Sequence, residues 1–168
     1  AYTHGGASAI SVLTESHWFG GTLDDLREAR RACDRPVLRK DFVIDEYDLE
    51  ITAAAGADAV LLIAACFEPS RLAELIACAG GMELDALVET HSERDVEKAQ
   101  FAGATLIGVN ARDLETLEVD VERALRLVAS LDAKCVRVME SGLRSRRDVE
   151  AAREAGADAV LVGQHLMT

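Results

Sequence analysis

One unit of sequence recurs in this chain, and it restricts the fold more than any other feature. Ala54-Ala55-Gly56-Ala57-Asp58-Ala59-Val60-Leu61 is matched by Glu154-Ala155-Gly156-Ala157-Asp158-Ala159-Val160-Leu161, and Ala102-Gly103-Ala104-Thr105-Leu106-Ile107 is a looser copy. In each copy a segment with helical periodicity runs up to a glycine, and an apolar strand starts at once. The glycine supplies the positive φ that ends a helix. A return that short is the connection expected at the N-terminal face of parallel βα units. Repetition of one such unit favours a closed (β/α)8 barrel over a doubly wound sheet.

The rest of the chain follows the same order. Strands are expected at 9–13, at 36–42 as a strand running into a loop with Lys40 at its C-terminal end, and at 57–63, 84–89, 105–109, 135–139 and 157–162. Between them the periodicity predicts helices over about 22–32, 46–55, 69–79, 92–103, 121–130 and 145–156. Thr22 with Asp25, Ser92 with Asp95 and Ser145 with Asp148 are acidic variants of the capping box that open three of these. With 168 residues and 49% hydrophobic content, the chain holds one sizeable core and is expected to be a single domain over 1–168. A full barrel has eight strands and about 250 residues. The seven strands expected in these 168 residues therefore read as an incomplete barrel, truncated at both ends, without its first βα unit and its final helix. An open seven-stranded sheet leaves two apolar edges exposed.

Charge narrows the partners. Thirty acidic against eighteen basic residues give a net charge of −12, which repels nucleic acid and anionic membrane surfaces, so an anionic ligand must be held by a local site. No run reaches the length of a membrane span. The four cysteines, Cys33, Cys66, Cys78 and Cys135, form no CxxC pair and read as small core residues in a reducing, cytoplasmic setting, with no metal expected.

In a parallel barrel the C-terminal strand ends converge on one pocket. Here those ends offer Ser11 with Thr14 and Glu15, then Lys40, Leu62, Glu89, Asn110 with Arg112, Glu140 with Ser141 and Gly142, and Gly163 with Gln164. These are groups that transfer protons or bind phosphate. Each also has a purely structural reading. Lys40 is read equally as a lysine that snorkels to solvent beside Asp41, Ser11 as a hydroxyl bonded to backbone, and Glu89 as the partner of an arginine on a neighbouring loop. Asn110 is a candidate for an Asx turn, and Arg112 for a solvated loop charge. The two small-residue turns after the last two strands match the phosphate cradle common in this fold, with backbone N–H groups facing the anion.

The motifs Ser-Val-Leu-Thr-Glu (11–15), Pro-Val-Leu-Arg-Lys-Asp-Phe (36–42), Gly-Ala-Asp-Ala-Val-Leu-Leu-Ile (56–63), Leu-Val-Glu-Thr-His (87–91), Ile-Gly-Val-Asn-Ala-Arg-Asp-Leu (107–114) and Glu-Ser-Gly-Leu (140–143) resemble the indole-3-glycerol phosphate synthase family of tryptophan biosynthesis. The resemblance runs from about Gly5 to Met167, in order and at the family's spacing. It implies a decarboxylating, dehydrating ring closure of 1-(2-carboxyphenylamino)-1-deoxyribulose 5-phosphate to indole-3-glycerol phosphate, with no metal or organic cofactor. Lys40 is then the general acid at the ribulose carbonyl oxygen, Glu89 a proton-transfer group that keeps Lys40 charged, and Asn110 a catalytic positioning group. Ser11, Phe19, Phe42, Leu62, Arg112 and Glu140 become substrate-binding residues, with Phe19, Phe42 and Leu62 walling the aromatic ring. Ser141, Gly142, Gly163 and Gln164 take the phosphate. The sequence departs from the family at Ala111 and Gln164, and the family's first barrel strand, with its glutamate, second lysine and serine, is not in this chain. The implied partners are the phosphorylated small molecule and either the missing N-terminal segment or a fused tryptophan-pathway domain. A phosphoribosylanthranilate isomerase-like barrel and a non-catalytic fragment that needs its missing segment are the competing readings. The former relies on a cysteine and an aspartate, where this chain offers Ser11 and Lys40.

Overall fold

A computed structural model of the chain describes residues 3–114 and 116–167. The elements alternate as the repeat requires: β1 (Ile10–Leu13), α1 (Leu23–Ala32), β2 (Val37–Lys40), α2 (Glu46–Ala54), β3 (Ala59–Ile63), α3 (Pro69–Gly81), β4 (Asp85–Thr90), α4 (Glu93–Phe101), β5 (Leu106–Asn110), α5 (Val121–Ser130), β6 (Val136–Glu140), α6 (Arg146–Glu154), β7 (Ala159–Leu161) and α7 (Gln164–Met167). All neighbouring strands pair in parallel, in the order β1-β2-β3-β4-β5-β6-β7. A doubly wound sheet reverses its strand order at a switch point. This sheet never reverses, so it is an incomplete (β/α)8 barrel, with β1 and β7 as its two edges.

The repeat earns its sequence at the return turns. Gly56, Gly103 and Gly156 all take positive φ, at 87°, 78° and 101°. The aspartate that follows two residues later in the two close copies has the same task in each. Asp58 Oδ2 accepts the Val37 N–H at 2.7 Å, and Asp158 Oδ2 accepts the Arg137 N–H at 2.9 Å. Each carboxylate thus satisfies the otherwise unpaired N–H at the start of the preceding strand. Because Ala57-Asp58 and Ala157-Asp158 belong to these turns, β3 and β7 begin two residues later than the apolar runs suggest.

Side-chain alternation splits the core into two layers. Leu38, Leu61, Ile63, Leu87 and Val138 fill the lumen side of the sheet, with Ala59, Leu106 and Leu161 against them. Val60, Leu62, Val88, Ile107, Val109 and Met139 face outward onto the helices, against Leu49, Leu72, Leu75, Val96, Leu127 and Val128. The expected caps form. Thr22 with Asp25 and Ser145 with Asp148 make reciprocal capping boxes. Ser92 accepts from the Asp95 N–H, but the Asp95 carboxylate reaches one residue further back, to the His91 N–H at 3.2 Å. Three features are not foreseen from periodicity: a 3-10 turn at Ala64–Cys66, the short helix α7, and an antiparallel bridge from Arg112 to Val119 inside the β5–α5 loop. Among the described residues no helix is long and apolar enough to cross a membrane.

Candidate active site

Strand alternation decides which residues reach the lumen. Leu38 lies on the lumen side, so Lys40 two residues on does too, and the same step takes Leu87 to Glu89, Leu106 to Gly108 and Asn110, and Val138 to Glu140. These ends meet. Lys40 Nζ donates to Glu89 Oε2 at 2.6 Å and to Glu140 Oε2 at 3.0 Å. The side chains of Glu89 and Glu140 are 2% and 1% exposed, against 21% for Lys40, so the ammonium is the member of the cluster that faces the mouth of the barrel. Asn110 stands directly across from Glu140 in the strand register and is buried.

The snorkelling alternative for Lys40 is thereby set aside, and so is an arginine partner for Glu89. Asp41 is engaged elsewhere. It accepts from the Thr14 hydroxyl at 2.5 Å and from Arg39 Nη2 at 2.8 Å, while buried Arg39 also donates to Thr14 Oγ1, Thr52 Oγ1 and the Asp48 carbonyl. Arg39 therefore faces the helices as Lys40 faces the lumen.

Two carboxyls around one ammonium cannot ionise alike. Burial pushes the Glu140 carboxyl up to about 7, the Glu89 charge adds to the push, and Lys40 opposes it. Burial also works against Glu89, but the neighbouring His91 and Lys40 bring it down to about 2. Lys40 loses something to burial and regains more from Glu140 and Glu89, so its pKa lies above the ordinary value. Near neutral pH the site thus holds a charged ammonium and an ionised Glu89, with Glu140 the carboxyl that burial and the Glu89 charge make the easier to protonate.

Gly108 makes room for this arrangement. A Cβ there would come 2.1 Å from Glu140 Oε1, a distance no side chain tolerates. The glycine in Ile107-Gly108-Val109 is a seat for the Glu140 carboxylate from the adjacent strand, and its neighbour in register on the other side is Glu89.

The remaining sequence candidates are distributed as follows. Ser11 is on the lumen side but opposite Leu38, one layer below Lys40, while Leu13 is the β1 residue level with the lysine. Ser11 is thus not the strand-end hydroxyl expected from the motif. Thr14 is drawn into the Arg39–Asp41 network. Glu15 accepts three loop N–H groups, from His17, Trp18 and Phe19, at 2.8, 2.6 and 3.2 Å. Those bonds shape the loop that carries Phe19. Phe19 and Phe42 are 57% and 47% exposed on the loops after β1 and β2.

Leu62 is corrected outright. It is fully buried between sheet and helices with Leu72 and Leu75, so it cannot wall a ligand, and Leu61 and Ile63 are the lumen residues of that strand. The phase of the alternation was misjudged by one residue. Asn110 makes the Asx turn its structural reading foresees, since Oδ1 accepts the Arg112 N–H at 3.0 Å. The Arg112 guanidinium donates to the Leu117 carbonyl at 2.9 Å and so braces the β5–α5 loop.

Ser141 and Gly142 both take left-handed φ, 67° and 74°, which makes the turn after β6 sharp. A Cβ on Gly142 would meet Val121 Cγ2 at 2.7 Å and Val119 Cγ1 at 2.9 Å, so glycine is needed there for space as well as for φ. Gly163 is open, with no heavy atom within 4 Å of the Cβ it lacks. Gln164 starts α7 and does not continue a turn; its side chain lies outside what the structure describes.

One residue of the cluster, in the Leu-Val-Glu-Thr-His motif, has a place that the motif alone does not explain. His91 is 9% exposed, and its Nε2 lies 3.1 Å from Glu89 Oε1. The spacing Glu-Thr-His, two apart on a strand end, is the signal that would have found it.

Comparison with known proteins agrees with this geometry. A family model described as indole-3-glycerol phosphate synthase matches residues 1–168. The indole-3-glycerol phosphate synthase of Desulfosudis oleivorans is 48% identical over 166 residues, which cover 99% of this chain and 63% of that protein. Indole-3-glycerol phosphate synthase 2 of Streptomyces coelicolor is 51% identical over 167 residues, covering 99% and 65%, and the Mycobacteroides abscessus protein is 49% identical over 168 residues, covering 100% and 62%. The chain therefore spans just under two thirds of the length of these relatives. Among solved structures, the N-acetylmannosamine-6-phosphate 2-epimerase from Clostridium perfringens superposes with a TM-score of 0.74 over 97% of this chain and 75% of that one, at 14% identity, a likeness of fold alone.

Proposed function

The chain belongs to the indole-3-glycerol phosphate synthase family, and from that premise we propose that it carries the ring-closing part of such an enzyme's site. The substrate is read as 1-(2-carboxyphenylamino)-1-deoxyribulose 5-phosphate. The anthranilate ring carbon that bears the carboxylate attacks the ribulose carbonyl carbon, and Lys40 gives its proton to the carbonyl oxygen as the new C–C bond forms. CO2 then leaves the ring carbon, and the hydroxyl made in the first step departs as water. A charged lysine suits the first step because it is both donor and counter-charge for the developing alkoxide.

The observation that carries this reading is the Lys40–Glu89–Glu140 cluster at 2.6 and 3.0 Å, at the C-terminal ends of three parallel strands. Glu89, ionised, is suited to take the proton released in dehydration. Glu140, poised near neutrality, is suited to return one to Lys40. Asn110, across from Glu140, would orient the substrate's hydroxyls or carboxylate, while Phe19 and Phe42 offer exposed aromatic faces to its ring. The turns at Ser141-Gly142 and Gly163-Gln164 would hold the phosphate, which supplies the local anion site that a chain of net charge −12 requires. We read such an enzyme as cytoplasmic.

The unpaired edges of β1 and β7 support one further element of the proposal, that activity needs chain or a partner beyond these residues to complete the barrel. The test uses the protein encoded by its full reading frame. Indole fluorescence should develop on that substrate, and Lys40→Ala should slow it by about 10²–10⁴-fold, the usual worth of a general acid. Turnover by the Lys40→Ala protein within about threefold of the parent would rule out Lys40 as the acid.

A further inference from the structure

The ring-closing reading assigns Glu89 a proton-transfer role without saying what aims its carboxylate. Its two oxygens have different neighbours. Oε2 takes the Lys40 ammonium at 2.6 Å, and Oε1 has His91 Nε2 at 3.1 Å. Among the described residues, three buried side-chain polar atoms lack a well-aligned hydrogen-bond partner, and two of them, His91 Nε2 and Glu140 Oε1, belong to this cluster. At 3.1 Å the two atoms are already within hydrogen-bond distance, and a buried donor left unused is costly.

The histidine's place is fixed from outside the cluster. Its own backbone N–H donates to Asp95 Oδ2, the carboxylate that also takes the Ser92 hydroxyl at the N-terminus of α4. Helix α4 therefore sets where the ring stands, and the ring stands beside Glu89. The charged and titratable groups around the pair are Lys40 from β2, Glu140 from β6, Asp95 from α4, and the Cys66 thiol of the 3-10 turn, whose burial and proximity to Glu89 push its pKa up. Among the described residues, His91 is the one whose ring nitrogen stands against Oε1, the oxygen of Glu89 that Lys40 does not take.

We propose that His91 is a positioning residue for Glu89: its Nε2–H engages Oε1, which turns Oε2 to Lys40. This rests on the ring-closing reading for its catalytic meaning, but not for its geometry. The two substitutions that separate the claim from simple packing are His91→Gln, whose amide N–H reaches the same place, and His91→Leu, which fills the space without a donor.

Two measurements on the full-reading-frame protein decide it. In carboxyl-labelled glutamate NMR titrations, His91→Leu should raise the lower of the two buried carboxyl titrations by about one pH unit, while His91→Gln leaves it near the parent position. In steady-state assays, kcat of His91→Leu should fall about tenfold with KM within about twofold, and His91→Gln should recover most of the loss. Should the leucine protein fail to fold, His91→Asn, whose shorter amide cannot reach Oε1, takes its place in both. Titrations that coincide in all three proteins, or a glutamine protein as impaired as the leucine one, would overturn the proposal. A parent protein with no ring-closing activity would instead defeat the functional reading, and the NMR titration would still decide the role of His91.

Discussion

At the scale of single residues, the informative contrast is between two glutamates that share one lysine and are pushed in opposite directions by their surroundings. Glu140 keeps its proton up to about 7, whereas the same carboxyl in an unfolded chain loses it near 4.5. Between those values the folded protein binds more protons than the unfolded one, so this group makes stability fall as pH rises from 4.5 to about 7. Glu89 acts in the opposite sense. With its folded value near 2, it stabilises above 4.5, and that contribution is lost as pH falls toward 2. Glu140→Gln, which keeps shape and removes the charge, should therefore stabilise the protein at about pH 8 by on the order of 1–3 kcal/mol and flatten the upper slope, while slowing catalysis. Urea unfolding at several pH values reads this directly, and an unchanged slope in the variant would exclude Glu140 as its source. Gly108 makes a second prediction. Its Cβ position lies 2.1 Å from Glu140 Oε1, so Gly108→Ala should cost about 1–3 kcal/mol. Combined with Glu140→Ala, which removes the clashing oxygen, the alanine at 108 should cost markedly less, a coupling that a double-mutant cycle measures.

At the scale of elements, the end of β2 is clamped from behind by a network on the helix side of the sheet. Arg39, 6% exposed, ties β2 to α2 through Thr52 and the Asp48 carbonyl and to the end of β1 through Thr14 and Asp41. Burial works against the Asp41 charge, but the Thr14 hydroxyl, Arg39 and the Phe42 N–H hold its carboxyl below the usual range. Asp41→Ala leaves a buried guanidinium short of its counter-charge and should cost about 2–4 kcal/mol in unfolding experiments. Arg39→Met in the same chain should recover much of that, as buried pairs replaced whole by apolar groups often do. A loss that is no smaller in the double variant would show that the clamp acts through something other than charge. This clamp also marks where sequence reading stops. Element order, caps and the Lys40, Glu89 and Glu140 strand ends are all legible, because periodicity, Ser/Thr-to-Asp spacing and the position after an apolar run are local properties. Leu62 was misassigned because its whole strand is apolar: with both faces buried, nothing in Ala59–Ile63 reveals which residues point to the lumen. Asp41 was equally hidden, since its neighbour in sequence, Lys40, faces the other way. His91 was missed because its partner is chosen by the end of a helix, not by the motif that contains it.

At the scale of the whole molecule, the governing fact is a sheet curled into seven-eighths of a barrel with one free edge at β1 and another at β7. Among the described residues each edge presents a row of backbone groups with no neighbouring strand, and lumen residues near them are partly open, Leu13 being 38% exposed. Parallel sheets are ordinarily covered on both faces and closed or capped at their sides, and an uncovered edge is a template for another chain. Residues 1–168 expressed alone should therefore self-associate, whereas the full reading frame should keep a constant size on dilution. Net charge opposes that association at long range: at −12, identical chains repel until salt screens them. Raising salt from about 0.05 to about 0.5 M should thus increase the sedimentation coefficient of the isolated piece at fixed concentration, because the screening length shortens severalfold while the edges are unchanged. Ile10→Lys, which puts a charge on edge strand β1, should reverse that increase if the edge is the adhesive surface. Association that is indifferent to the lysine but abolished by substitutions at Trp18 and Phe19, the exposed aromatics of the loop above, would transfer the cause from the strand edge to the mouth of the barrel.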